Sequence, residues 1–174
     1  MDGMTISGGQ VLDTAGWQDA ALVIEDGRIA ALGATSGGRR FDASGLLVLP
    51  GLIDLHGDAF ERQLQPRPGV DFPTGLALAD TEAQLLANGI TTAYHGITLS
   101  WEPGLRSLDA WRAMLDALAA GPPGGGGWTC DMRVHLRWEA FNLPALDQAL
   151  ADIAAGRVHL LAFNDHTPAI MRRL

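Results

Sequence analysis

The chain has 174 residues, 47% of them hydrophobic, with one cysteine and a net charge of −8 at pH 7. That length holds one medium domain, or a small one with part of a larger one. The acidic balance argues against non-specific nucleic-acid binding, no run is long enough for a membrane span, and a lone Cys130 excludes an intramolecular disulfide. With no basic-then-apolar leader at the start and no disulfide framework, the expected location is cytoplasmic. All 12 basic residues are Arg and none is Lys. Neither a carboxylated lysine nor Schiff-base chemistry can therefore come from these residues.

Residues 1–49 read as a small β unit. The segments MTISGGQVLD, DAALVIEDGRIAALG and RRFDASGLLVLP are short strands between turn residues, with Asp26-Gly27 at a hairpin position. An apolar run follows, Leu46 to Leu49 and then Leu52, Ile53 and Leu55, which predicts a strand buried on both faces as in a parallel sheet. His56 and Asp58 stand two apart at its end. In a strand that spacing puts an imidazole and a carboxylate on one face, where both can ligate a divalent ion.

From residue 50 to residue 174 the rhythm becomes strand, helix, strand, helix. Leu76 to Asn88 is helical and closed by Gly89; Ile90 to His95 is a β-branched strand. Ser107 caps a helix with Leu108, Trp111, Leu115 and Leu118 on one face, and residues 122–127 are a Pro/Gly connector. Residues 131–141 alternate, with Val134, Leu136 and Trp138 on one side and Arg133, His135, Arg137 and Glu139 on the other. Leu146, Leu150 and Ile153 mark the apolar face of another helix, ended at Gly156, and residues 158–163 form the next strand. Repeated βα units imply an α/β fold with a parallel sheet. Four such units are half of a (β/α)8 barrel, which needs eight strands and about 250 residues.

These residues resemble a known family. ALVIEDGRIAALG, VLPGLIDLHGD and NGITTA are similar to the N-terminal half of amidohydrolase-superfamily enzymes. Within that superfamily, LPGLIDLHGDAFERQLQPRPGVDFP, ANGITTAYHG, HLRWE and NDHTP resemble the α-D-ribose 1-methylphosphonate 5-triphosphate diphosphatases of phosphonate catabolism. The resemblance implies a partial (β/α)8 TIM-type barrel preceded by a portion of a small β-sandwich. It also implies a divalent metal (Zn, Mn or Mg), with His56, Asp58, Glu139 and His166 as ligands. Arg67, Arg62, His95 and Asp165 are the implied substrate-binding residues, facing a phosphorylated sugar. Forked guanidinium groups suit a triphosphate. His135 and His159 read as barrel-layer residues rather than ligands, and Arg137 as a neutraliser of Glu139.

The implied reaction releases pyrophosphate from a ribosyl triphosphate, with the general base and a further His ligand expected beyond Leu174. Two other readings stay open. One is an inactive truncated fragment whose exposed strand edges invite pairing with another copy. The other is a superfamily member acting on an amide or deamination substrate.

Overall fold

Asp26 and Gly27 turn the chain through a tight hairpin, both at positive φ (50° and 73°), the requirement of a type I′ turn. The computed structural model describes residues 3–34 and 37–166, and the chain divides into Met1–Pro50 and Gly51–Leu174. The first unit contains β1 (Gly3–Ser7), β2 (Gln10–Asp13), β3 (Gly16–Gln18), β4 (Leu22–Glu25), β5 (Arg28–Leu32), β6 (Arg39–Asp42) and β7 (Leu47–Val48). They form two sheets, β5-β4-β1-β6 and β3-β2-β7. Thr5, Gly9, Val11, Leu22, Val23 and Ala43 are its buried residues among those described.

The second unit carries β8 (Leu52–Gly57), α1 (Phe60–Leu64), α2 (Thr74–Ala87), β9 (Ile90–Leu99), α3 (Leu108–Ala120), β10 (Asp131–Glu139), α4 (Leu146–Ala154) and β11 (Leu160–Asn164). Its strands run parallel in the order β11-β10-β9-β8. This is a mixed α/β unit whose parallel sheet fits a partial barrel of the TIM type. Asn88 and Gly89 end α2, with Gly89 at φ 76° and both N–H groups bonded back into the last turn. The Ser107 hydroxyl caps α3 by accepting from the Ala110 N–H at 3.2 Å. Trp111, Met114 and Leu115 of that helix pack with Leu78, Ile97, Leu99 and Leu136 in the principal core. No helix among the described residues is long and apolar enough to cross a membrane.

Three sequence expectations are corrected here. The apolar run from Leu46 to Leu55 is not one strand: it breaks at Pro50-Gly51 into β7 and β8, which belong to different sheets. Gly51 allows the close approach, since a Cβ there would collide with the Thr91 side chain. Nor is the second part buried. Leu52, Ile53 and Leu55 are 54%, 63% and 58% exposed, because among the described residues β8 has a neighbouring strand on one side only.

The third correction concerns α4. Leu146, Leu150 and Ile153, expected to face inward, are all substantially exposed, and Ala149 and Asp152 are buried instead. A polar anchor decides the rotation. Asp152 accepts from Trp111 Nε1 at 2.8 Å, from Gln148 Nε2 at 3.2 Å and from Arg157 Nη1 at 3.2 Å. Turning the leucines inward would strand the Trp111 N–H in the core without an acceptor. The short helix α1 has no counterpart in the sequence reading, although Phe60 and Leu64, four apart and both buried, carry its signal.

Asp152→Ala leaves the Trp111 N–H and the Arg157 guanidinium without their acceptor. It should lower the unfolding free energy by about 1–3 kcal/mol, read from the denaturation midpoint at unchanged m-value.

Candidate active site

Alternation along the strands sorts the second unit's side chains into two faces. His95, Ile97 and Leu99 of β9 lie level with Val134, Leu136 and Trp138 of β10, and the apolar members of this set pack in the core beneath the helices. The opposite face therefore carries Gly96 and Thr98 of β9 beside His135 and Arg137 of β10, with Glu139 next in line.

Gly96 determines what can meet on that face. It pairs in register with His135, and a Cβ there would lie 3.3 Å from Arg137 Cδ and 3.6 Å from His56 Cδ2. With no side chain at that point, His56 reaches across β9 from β8. Its ring meets His135 edge to face, with centroids 5.1 Å apart. His135 is fixed by Nδ1, which lies 3.1 Å from the Leu55 carbonyl, so Nδ1 carries the hydrogen. Its Nε2 is buried and without a hydrogen-bond partner. Burial, foremost, holds the His135 pKa below the ordinary value, and the nearby His56 and Arg137 act in the same direction. No local pattern signals the Gly96 window, nor Asp54, whose carboxylate accepts from the His56 backbone N–H at 2.9 Å.

A second cluster forms where β10 and β11 end. Glu139 is 2% exposed. One of its oxygens accepts from the His166 backbone N–H at 2.6 Å, and the other lies 2.6 Å from His166 Nδ1. A carboxylate holding Nδ1–H leaves Nε2 of a neutral imidazole as the free lone pair. Glu139, read from sequence as a direct ligand, here has both oxygens on His166. Just past it Phe141 sits at φ 69°, a left-handed conformation uncommon for an aromatic residue.

The other expected residues fall elsewhere. Asp58 lies one residue past the end of β8 and is exposed, so it does not share a strand face with His56. Arg62 and Arg67 are exposed and make no ion pair among the described residues; Arg62 lines a groove of about 360 Å³ with Gln63, Phe72 and Asp80. Arg137 makes no ion pair with Glu139, and Asp165 is exposed beside His166. His159 is an exposed residue just before β11, its Nδ1 accepting from the Val134 N–H at 3.1 Å, rather than a layer residue within the strand. Thr167, Pro168 and the six residues that follow lie outside the described residues.

His95 is the clearest displacement. Expected at the barrel mouth, it lies on the helix-covered face, 1% exposed, with its ring edge-on to Phe60 at 5.5 Å and Nε2 without a partner. Burial pushes its pKa down to about 4 from an ordinary 6.5, against the opposing pull of the Asp54 carboxylate. Among the described residues no three His, Cys, Asp or Glu side chains gather in the manner of a metal centre.

No family model matches the chain. The chain is similar to the α-D-ribose 1-methylphosphonate 5-triphosphate diphosphatase of Escherichia coli (strain K12), with 30% identity over 152 residues, 85% of this chain and 40% of that protein. It is also similar to the allantoinase of Solibacter usitatus, with 37% identity over 105 residues, 59% of this chain and 21% of that one. Among solved structures, the D-hydantoinase from Bacillus sp. AR9 matches with a TM-score of 0.59 at 21% identity, over 91% of this chain and 31% of that one. The last likeness is one of fold. The chain spans no more than 40% of the length of these relatives.

Two outcomes follow from the geometry. Neutral in the folded state down to about pH 4, His95 takes up a proton on unfolding below about 6.5. Its contribution is therefore intact above pH 6.5 and lost as pH falls toward 4, by about 3 kcal/mol in total. Denaturation series across that window should show the loss, and His95→Gln should flatten it. Separately, Gly96→Val should part His56 from His135, seen as the loss of ring-to-ring nuclear Overhauser contacts between them.

Proposed function

We propose that this chain contributes part of the active site of a metal-dependent hydrolase of the amidohydrolase superfamily, the superfamily that its relatives support. The bond it serves is a phosphoanhydride of a phosphorylated sugar. The observation that carries the reading is the Glu139–His166 pair at the C-terminal ends of adjacent parallel strands, the edge at which barrel enzymes hold their chemistry. The extent of the likeness to the diphosphatase, 85% of the chain, favours the phosphoanhydride. The two small N-terminal sheets fit a portion of a β-sandwich.

The donor types suit Zn²⁺, Mn²⁺ or Mg²⁺, the carboxylates favouring the harder ions. The buried His135 Nε2 without a partner, beside His56, shows that this face has polar capacity left unused. His56, Asp58 and His166 are the donors we assign to the ion, with Glu139 behind His166 fixing its tautomer; in this structure the three do not gather at one point. When bound, such an ion acidifies a water molecule and offsets the charge that develops during hydrolysis. Arg62 on α1 and Arg67 in the turn that follows, without ion pairs among the described residues, offset the charge of a triphosphate. The general base and further ligands are assigned to later strands of a barrel. A second reading, hydrolysis of a cyclic amide, is favoured by the allantoinase and hydantoinase relatives.

Metal analysis and turnover separate these readings. Asp58→Ala and Glu139→Ala should each lower bound divalent metal by about 10-fold or more, and the protein should release pyrophosphate from a ribosyl triphosphate. Full metal content in both variants would remove the site assignment. Ring opening of a cyclic amide with no pyrophosphate release would move the substrate to the second reading.

A further inference from the structure

We propose that His135 is a positioning residue for His56, holding a bulge of β8 that aims the His56 ring across β9. The consequence for a bound ion rests on the hydrolase reading; the hold on the strand rests on the sheet alone.

Strands β8 and β9 pair at Asp54–Ala93 and again at Gly57–His95, so β8 uses one residue more than β9 over that interval. An extra residue in one strand is a β-bulge, which interrupts the ladder and re-aims a side chain. The peptide group left out of the ladder is the one joining Leu55 to His56. Side chains take both of its polar atoms. The His56 N–H donates to the Asp54 carboxylate at 2.9 Å, and the Leu55 carbonyl accepts from His135 Nδ1–H at 3.1 Å. A peptide group gripped from both sides keeps one orientation.

Two glycines make room for this arrangement. A Cβ at Gly57 would stand 3.0 Å from Asp54 Oδ2, and one at Gly96 would stand 3.6 Å from His56 Cδ2. The carboxylate folds back over the first, and the imidazole passes over the second. His135 then meets His56 a second time, ring against ring, at 5.1 Å between centroids. One buried side chain of β10 therefore fixes both the backbone that precedes His56 and the ring itself. Every contact in this set lies among β8, β9 and β10.

Groups that orient a metal-binding imidazole without touching the ion typically carry about 10–100-fold in metal affinity. The role asked of His135 is carried by its Nδ1–H, and substitution separates that donor from the rest of the ring. An asparagine amide places an N–H close to the position of Nδ1, so His135→Asn keeps a donor for Leu55 and removes Nε2. His135→Leu fills the space and removes the donor.

In the metal-free protein, nuclear Overhauser contacts between the His56 ring and the Gly96 α-hydrogens should persist in His135→Asn and vanish in His135→Leu. Titration with Co²⁺ should give an affinity within about threefold of wild type for His135→Asn and about 10–100-fold weaker for His135→Leu. If the leucine variant does not fold, His135→Gln, whose amide reaches the Nε2 position instead, replaces it with the same expectation. Equal loss of Co²⁺ affinity in the asparagine and leucine variants would make His135 a direct ligand and overturn the positioning role. Unchanged affinity in His135→Leu, or a His56–Gly96 contact that survives in it, would overturn it as well. The expected Overhauser pattern in a wild-type protein that takes up no Co²⁺ would remove the hydrolase reading and leave the hold on β8 standing.

Discussion

Four strands running parallel deliver all their C-terminal ends to one edge, and the candidate groups of the second unit sit there for that reason. The βα rhythm forces the arrangement, because each helix must carry the chain back before the next parallel strand starts. His56 near the end of β8, Glu139 at the end of β10 and His166 just beyond β11 are far apart in sequence but share that edge. The helices on the other face supply the apolar core, leaving the first face to hold imidazoles, a guanidinium and a carboxylate.

Burying a carboxylate beside a sheet is costly unless its oxygens are engaged. Glu139 meets that condition with two short contacts to His166, one from the backbone and one from the ring. The pair orders the chain just beyond β11 and turns the free imidazole nitrogen away from the carboxylate. His56 and His135 are organised differently: a glycine opens the space between their strands, and the Leu55 carbonyl sets the tautomer of His135. Two small clusters result, one spanning β8 to β10 and the other at the ends of β10 and β11.

The edges of the sheet explain the misplaced apolar residues. A sequence rich in Leu and Ile reads as buried, and in a closed barrel β8 and β11 would have a neighbour on each side. Among the described residues each has one, and their side chains meet solvent. The helix α4 shows the opposite logic, since one hydrogen bond from the Trp111 ring outweighs three aliphatic residues in choosing which face is covered.

Sequence by itself determined the βα order, the Asp26-Gly27 hairpin, the Ser107 cap, the Gly89 helix end and the alternation of β10. Each of these depends on contacts within a few residues, or on a periodicity that local backbone geometry imposes. It also identified Glu139 and His166 as chemistry-bearing residues at strand ends. Only the tertiary structure decided that they touch, that His95 faces the helices, that Asp58 lies beyond its strand, and that Gly96 lets His56 meet His135. Those outcomes depend on register between strands and on which face a helix covers. Both are set by partners 20 to 80 positions away, and no local pattern encodes them.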